Sequence, residues 1–358
     1  MLHTLSRTLL LCSLSLASCL GPTSAAEMSA QQAALGFAGL DAPATDSAHK
    51  AFQQRAAQAW AGYDRQVGEP LAAWSKREVA YPGGGTVFYP FSGPDFVTVA
   101  RVYPDAERYV LVAIQFAGQP ARPENMSAVQ RAEFERKFGG AWEKFGKLGY
   151  FRTVDLNDDQ RDRASGVGTT TILMAFAARL GYEVTDVVPL SFNADKGEWE
   201  AASTETKSRS VRLFLQKAGR KATLDYVSLD LSDGALKAGE AHTAWIKHMA
   251  AQPVLLKAAS HLLQQANFRV LRDALVTAAP IVVQDETGLD YKELSKIGPV
   301  RLYGKFSQAH PLFTTTTQPA LAAAYRAEKS PGDLPFAFSY LKTADARSMQ
   351  VVRRPPTN

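Results

Sequence analysis

The run from Arg108 to Phe116 (Arg-Tyr-Val-Leu-Val-Ala-Ile-Gln-Phe) restricts most strongly what this chain can fold into. It is almost continuously apolar, has the length of a strand and shows no alternation with polar residues. A strand of that kind belongs in a sheet covered on both faces. Upstream, Thr86–Phe91 has the same character. Between the two lies Ser92-Gly-Pro-Asp95, read as a capping box with Ser92 as N-cap and Asp95 reaching back to it. Pro94 falls in the first turn, where no amide donor is needed. The helix is predicted to run to about Tyr103 and to stop before Pro104. Strand, helix and strand within about 30 residues form a βαβ-like unit.

The rest of the chain alternates in the same way. Helical spacing is present over 46–77 (Phe52, Ala56, Tyr63, Leu71, Trp74), with Pro70 breaking the stretch or starting a second helix. Further helices are predicted over 126–147, 168–180 and 319–329, and two or three in succession over 238–279, interrupted at Pro253. Strands are predicted at 183–192, at a hairpin of 210–216 with 223–231, and at 281–284, 300–306 and 336–341. The fold class is therefore α/β: one domain with a mixed central sheet and helices packed on it, preceded by a helical N-terminal segment. The expected divisions are a signal over 1–18, a tether over 19–45, the helical segment over 46–80, the α/β domain over 81–345 and a C-terminal tail over 346–358.

The first residues read as an export signal. Arg7 precedes a short apolar stretch that ends near Ala17. That stretch falls short of the roughly 20 apolar residues of a membrane-spanning helix and suits a signal peptide. Leu16-Ala-Ser-Cys19 has the form of a lipobox and resembles bacterial lipoprotein precursors, which implies lipid attachment at Cys19. Ordinary cleavage after Ala25 or Ala26 is the competing reading. The only cysteines are Cys12 and Cys19, so the domain beyond the signal has no disulfide, no thiolate nucleophile and no cysteine-based zinc site.

Charge adds little. Lys+Arg number 40 against 35 Asp+Glu, a net +5, with the signs mixed along the chain. The densest basic stretch, Lys207 to Lys221, alternates with Val211, Leu213 and Leu215 and reads as the solvated face of a hairpin. Nucleic acid is not an expected partner, because no recognition motif accompanies the charge. Contact with a membrane is expected through the lipid anchor only.

The segment Phe88-Tyr-Pro-Phe-Ser-Gly-Pro-Asp-Phe96 resembles the core motif of a family of uncharacterised bacterial secreted proteins and lipoproteins. Leu256-Lys-Ala-Ala-Ser260, Gln284-Asp-Glu-Thr-Gly-Leu-Asp-Tyr291, Leu302-Tyr-Gly304 and Leu334-Pro-Phe-Ala-Phe-Ser-Tyr340 resemble its later motifs. The match spans roughly 80–340. It implies export and a single domain, and it implies no catalytic residues.

Weighed individually, the chemical signals are weak. Ser92 sits where a nucleophile elbow would place it, but Pro90 and Pro94 replace the small neighbours that the strained turn requires, and capping accounts for it. His242 and His248 are six residues apart, on different faces of a helix, and no paired-histidine zinc motif is present; no metal is expected. Gly166-Val-Gly168-Thr169 resembles an anion-binding loop without the lysine of a P-loop or the third glycine of a dinucleotide fingerprint, so no cofactor is expected. Asp155, Asp158, Asp159 and Asp162 read as a solvated, self-paired segment. Catalytic residues are not identified.

In an open sheet, ligands bind beyond the carboxyl ends of the strands. Two predicted strands end in polar, glycine-containing turns, at Ser92 to Asp95 and at Asp285 to Gly288. These turns are expected to lie at the same end of the sheet and to border one cleft, formed by Tyr89, Ser92, Asp95, Asp285, Asp290, Tyr291 and Tyr303. The reading is of an exported envelope protein that binds a small ligand or another envelope protein without catalysis, on the outer membrane or free in the periplasm. The alternative is an envelope hydrolase using acidic residues such as Asp95 and Asp285.

Overall fold

The computed structural model describes residues 28–149, 168–202, 209–337, 340–341, 343 and 346–356. The signal, Cys19 and the acidic cluster at 155–162 lie outside the described residues.

One mixed sheet of ten strands organises the chain: β1 Thr86–Pro90, β2 Arg108–Ala113, β3 Glu183–Asn193, β4 Glu198–Ala201, β5 Ser210–Lys217, β6 Arg220–Ser228, β7 Val254–Leu256, β8 Ile281–Gln284, β9 Val300–Gly304 and β10 Ser348–Arg353. Their order across the sheet is β4-β3-β5-β6-β2-β1-β7-β8-β10-β9. The middle five, β6-β2-β1-β7-β8, are mutually parallel. Taken in chain order they read 3-2-1-4-5, the arrangement of a doubly wound sheet, which reverses between its first and fourth members. Here that reversal falls between β1 and β7. Antiparallel strands extend both edges.

The parallel strands are apolar throughout because both of their faces are covered. Val87 and Tyr89 of β1, with Tyr109 and Leu111 of β2, point into one core; Phe88, Val110 and Val112 point into the other. On the first face lie α1 Ala30–Ala38, α2 Ser47–Tyr63, α3 Glu69–Glu78, α4 Phe96–Val102, α5 Ala128–Leu148 and α6 Thr169–Arg179. The second face carries α7 Asp233–Ala238, α8 Glu240–Ala250 and α9 Arg269–Ala278. A satellite cluster of Leu302, Phe306, Leu321 and Tyr325 joins β9 to α11 Pro319–Ala327, beside the short α10 Tyr291–Leu294. Among the described residues no helix is long and apolar enough to cross a membrane.

Several expected boundaries are corrected. The helical N-terminal segment is integral to the domain, since Phe52, Tyr63 and Trp74 share one core with the sheet. Part of the expected tether folds as α1, with a capping box at Ser29 and Gln32 and with Phe37 buried. The expected tail contains β10, which pairs with both β8 and β9. The strand expected at 336–341 is not formed at Phe336, which instead packs on Trp74. Within 238–279, where only helices were expected, Val254–Leu256 forms β7 at the centre of the sheet.

Candidate functional site

The turn after β1 is built differently from the expected capping box. Phe91 adopts φ +59° and Gly93 φ +54°, which lengthens the turn, and the helix begins only at Phe96. Asp95 is its N-cap and accepts from Thr98 N at 3.3 Å. Ser92 does not cap the helix. Its amide is bound to the Val112 carbonyl at 3.1 Å, and its Oγ faces the same carbonyl at 3.4 Å. A left-handed conformation is costly for a bulky residue such as phenylalanine. Here it directs the Phe91 ring against Phe268, edge to face at 5.5 Å between centroids.

Because β1, β7 and β8 are parallel, the turns after β1 and β8 lie at the same end of the sheet, as expected. Two consecutive residues that follow β7 join them. Lys257 Nζ lies 2.9 Å from Asp95 Oδ2 and 3.2 Å from Thr98 Oγ1. The next amide, Ala258 N, donates to Asp285 Oδ2 at 3.2 Å. Tyr89 Oη donates to Asp95 Oδ2 at 3.0 Å, and Thr98 Oγ1 donates to Asp95 Oδ1 at 2.7 Å. Burial, reinforced by the Asp95 charge, pushes the Tyr89 hydroxyl well above its ordinary pKa and keeps it a donor. Asp285 Oδ1 accepts from Thr287 N and Oγ1 at 2.8 and 2.6 Å.

Tyr89, Asp95 and Asp285 thus converge at the reversal point, with Lys257, which sequence reasoning did not single out. They form a buried, internally paired network rather than the lining of an open cleft. The remaining expected members sit elsewhere. Asp290 caps α10 through Lys292 N, and Tyr291 packs beside the satellite cluster. Tyr303 stands edge-on to Trp74 and donates to Glu78 Oε2 at 2.9 Å. Its place is fixed by α3, on the first face of the sheet.

In a doubly wound sheet an anionic ligand would meet the amides of the helix after β1. Asp95 occupies that position with its own carboxylate, and Lys257 offsets its charge. At the start of α6, likewise, Thr170 N donates to the Ala117 carbonyl at 3.0 Å. That amide of the expected anion loop is already engaged; Gly166 lies outside the described residues.

Glu286 is a perturbed acid near the site. Burial, then the charge of neighbouring Asp285, raises its pKa well above the ordinary carboxylate range. A raised carboxyl beside an ionised one is the signature of an acid–base pair. Both residues are buried, however, and Asp285 spends Oδ1 on its own turn and Oδ2 on the Ala258 amide.

An open feature at this end of the sheet, among the described residues, is a cavity of about 230 Å³ beside the network. Its walls come from the ends of β1 (Phe91, Gly93), β2 (Ala113, Ile114) and β6 (Leu229, Leu231), with Leu262 and Phe268 closing the far side. Ile114 is 66% exposed, and Phe116 close by is 49% exposed, with the Arg209 guanidinium 4.6 Å from its ring centroid. None of the expected cleft residues lines this cavity. One signal for it was present: the apolar run from Arg108 continues through Ile114 and Phe116, past the end of β2 at Ala113.

No family model matches the chain, and neither a curated protein nor a solved structure matches it.

Proposed function

We propose that this protein is an exported, lipid-anchored binding protein that holds a small apolar ligand without catalysis, in the cavity at the ends of β1, β2 and β6. The observation that carries the reading is a contrast at the sheet reversal. Asp95 there is paired with Lys257 and Asp285 is held by amide and hydroxyl donors, whereas the accessible space beside them is walled by Phe91, Ile114, Leu231, Leu262 and Phe268. Ligand sites in open α/β sheets favour this position, and small-molecule sites are mostly apolar. Export rests on the signal-like segment with its Leu16-to-Cys19 lipobox, and the resemblance to secreted lipoproteins agrees with it.

A naphthalene-type fluorophore should bind the protein saturably, with a blue-shifted emission. Ala259→Phe, which projects a ring into the cavity from its lining, should abolish binding while leaving the melting temperature within a few degrees. Unchanged binding in that variant would remove the cavity from consideration. The hydrolase alternative predicts instead turnover of ester or glycoside substrates that disappears in Asp285→Asn at preserved stability.

The anchor is tested separately. Cys19→Ser should move the protein from the membrane fraction to the soluble fraction. A native mature N-terminus at Ala26 or Glu27, read by mass spectrometry, would contradict lipidation.

A further inference from the structure

A second cavity, of about 480 Å³, opens among α1, α2 and α5, on the first face of the sheet. Its apolar walls include Ala33 and Phe37 of α1, Phe52 of α2 and Phe134 of α5. Its polar members are unusually acidic: Asp41, Glu124 and Glu135, against Arg131 and His49. Asp41 Oδ2 faces His49 Nε2 at 2.8 Å, and Glu135 Oε1 faces His49 Nδ1 at 2.8 Å. A carboxylate at each ring nitrogen favours the doubly protonated imidazole. Burial opposes that charge, but the hydrogen bonds and charges of Asp41 and Glu135 outweigh it and raise the His49 pKa. Arg131 is turned to the Pro123 carbonyl at 2.9 Å. Three carboxylates against two cations leave the cavity one negative charge in excess.

One of these carboxylates is only half engaged. Glu135 is only 5% exposed, and its second oxygen, Oε2, is buried with no hydrogen-bond partner. An unsatisfied buried carboxylate oxygen carries a desolvation cost that a ligand donor would relieve. We propose that this cavity binds an organic ammonium ion bearing an apolar group, the Glu135 carboxylate turning so that Oε2, which solvent does not reach in the empty cavity, accepts from the ammonium, and the apolar group lying on Phe37, Phe52 and Phe134. The rings favour the same ligand, since aromatic faces attract a cation, and a monocation cancels the excess charge. The volume lies within the range of small-molecule sites. This site is separate from the strand-end cavity and does not depend on its ligand.

The probe is phenethylamine, with phenylacetate and phenylethanol as charge controls, titrated into the whole protein by calorimetry. Phenethylamine should bind saturably and the two controls should not. Glu135→Gln keeps an acceptor for His49 but loses the charge, and should weaken phenethylamine binding roughly tenfold or more, as expected for a lost charge-assisted bond. Gly36→Leu is the second variant. A Cβ added at Gly36, which lines the cavity, meets no atom within 4 Å, and leucine favours the helix over glycine. It should keep or raise the melting temperature while filling the site, so that binding is lost. Absence of phenethylamine binding, equal binding of phenylacetate, or undiminished phenethylamine binding in a folded Gly36→Leu variant would each overturn the proposal.

Discussion

Lys257→Met is expected to destabilise the fold by about 3–5 kcal/mol, the cost of breaking a buried ion pair by removing one partner. The Lys257 side chain is only 1% exposed and the Asp95 carboxylate is nearly as well covered. Methionine would fill the space of the lysine stem but leave the carboxylate without its counter-charge. The Tyr89 and Thr98 hydroxyls would still reach Asp95, and so would keep the loss from being larger. The double variant Asp95→Asn/Lys257→Met should recover most of the loss, because replacing both members of a buried pair is often neutral. Urea denaturation of the three proteins measures this directly. A loss below about 1 kcal/mol for the single variant would show that solvent reaches the pair. The pair also has a positional role: it ties the start of α4 to the end of β7 across the reversal of the sheet. It thereby holds the turn that carries Phe91 into the apolar cavity.

What could be read in the sequence follows from which physical signals are local. The strand–helix–strand unit was legible because β1 and β2 are hidden on both faces and so appear as unbroken apolar runs. The β5–β6 hairpin was legible because one of its faces is solvated and it turns on two residues, Ala218 and Gly219, both at positive φ. The capping residue was misplaced because Ser92 and Asp95 are both good caps three residues apart. Only the left-handed Phe91 and Gly93 decide between them; glycine permits that conformation, but no residue type signals it at Phe91.

The last strand was hidden by its polarity. Ser348 and Gln350 of β10 are buried, and they face Glu286 and Gln284 across the sheet end. A buried polar layer makes a core strand look like a solvated tail. The three residues of β7 are too few for a period, so the strand that flanks the reversal point escaped, and Lys257 with it. Lysine is almost never fully buried unless paired, and its partner lies 162 positions away in the chain. The shared end of the Asp95 and Asp285 turns was foreseen from a rule about strand ends. The closure of that site by internal pairing was not, because pairing depends on contacts between distant segments.

Trp142→Ala should cost about 3–5 kcal/mol, the usual range for emptying a buried tryptophan site, and the variant should still unfold in one transition. The indole is buried where four helices meet. Its ring lies edge-on to Trp60 of α2 at 6.4 Å and to Phe176 of α6 at 5.6 Å, and it contacts Phe138 and Phe145 of its own helix α5. Its Nε1 donates to the Phe37 carbonyl of α1 at 3.2 Å. Truncation removes the packing and leaves that carbonyl without its partner. Because the same core runs without a break from Phe52 through Trp142 to Tyr89 and Leu111, the damage cannot remain in the N-terminal helices. Tryptophan fluorescence and far-ultraviolet circular dichroism should therefore give coincident curves, shifted to lower urea with an unchanged slope. If the fluorescence transition separates from the loss of sheet signal, the N-terminal helices form an independent unit. The ammonium-binding cavity, which α5 shares with α1 and α2, would then lie across the boundary of that unit.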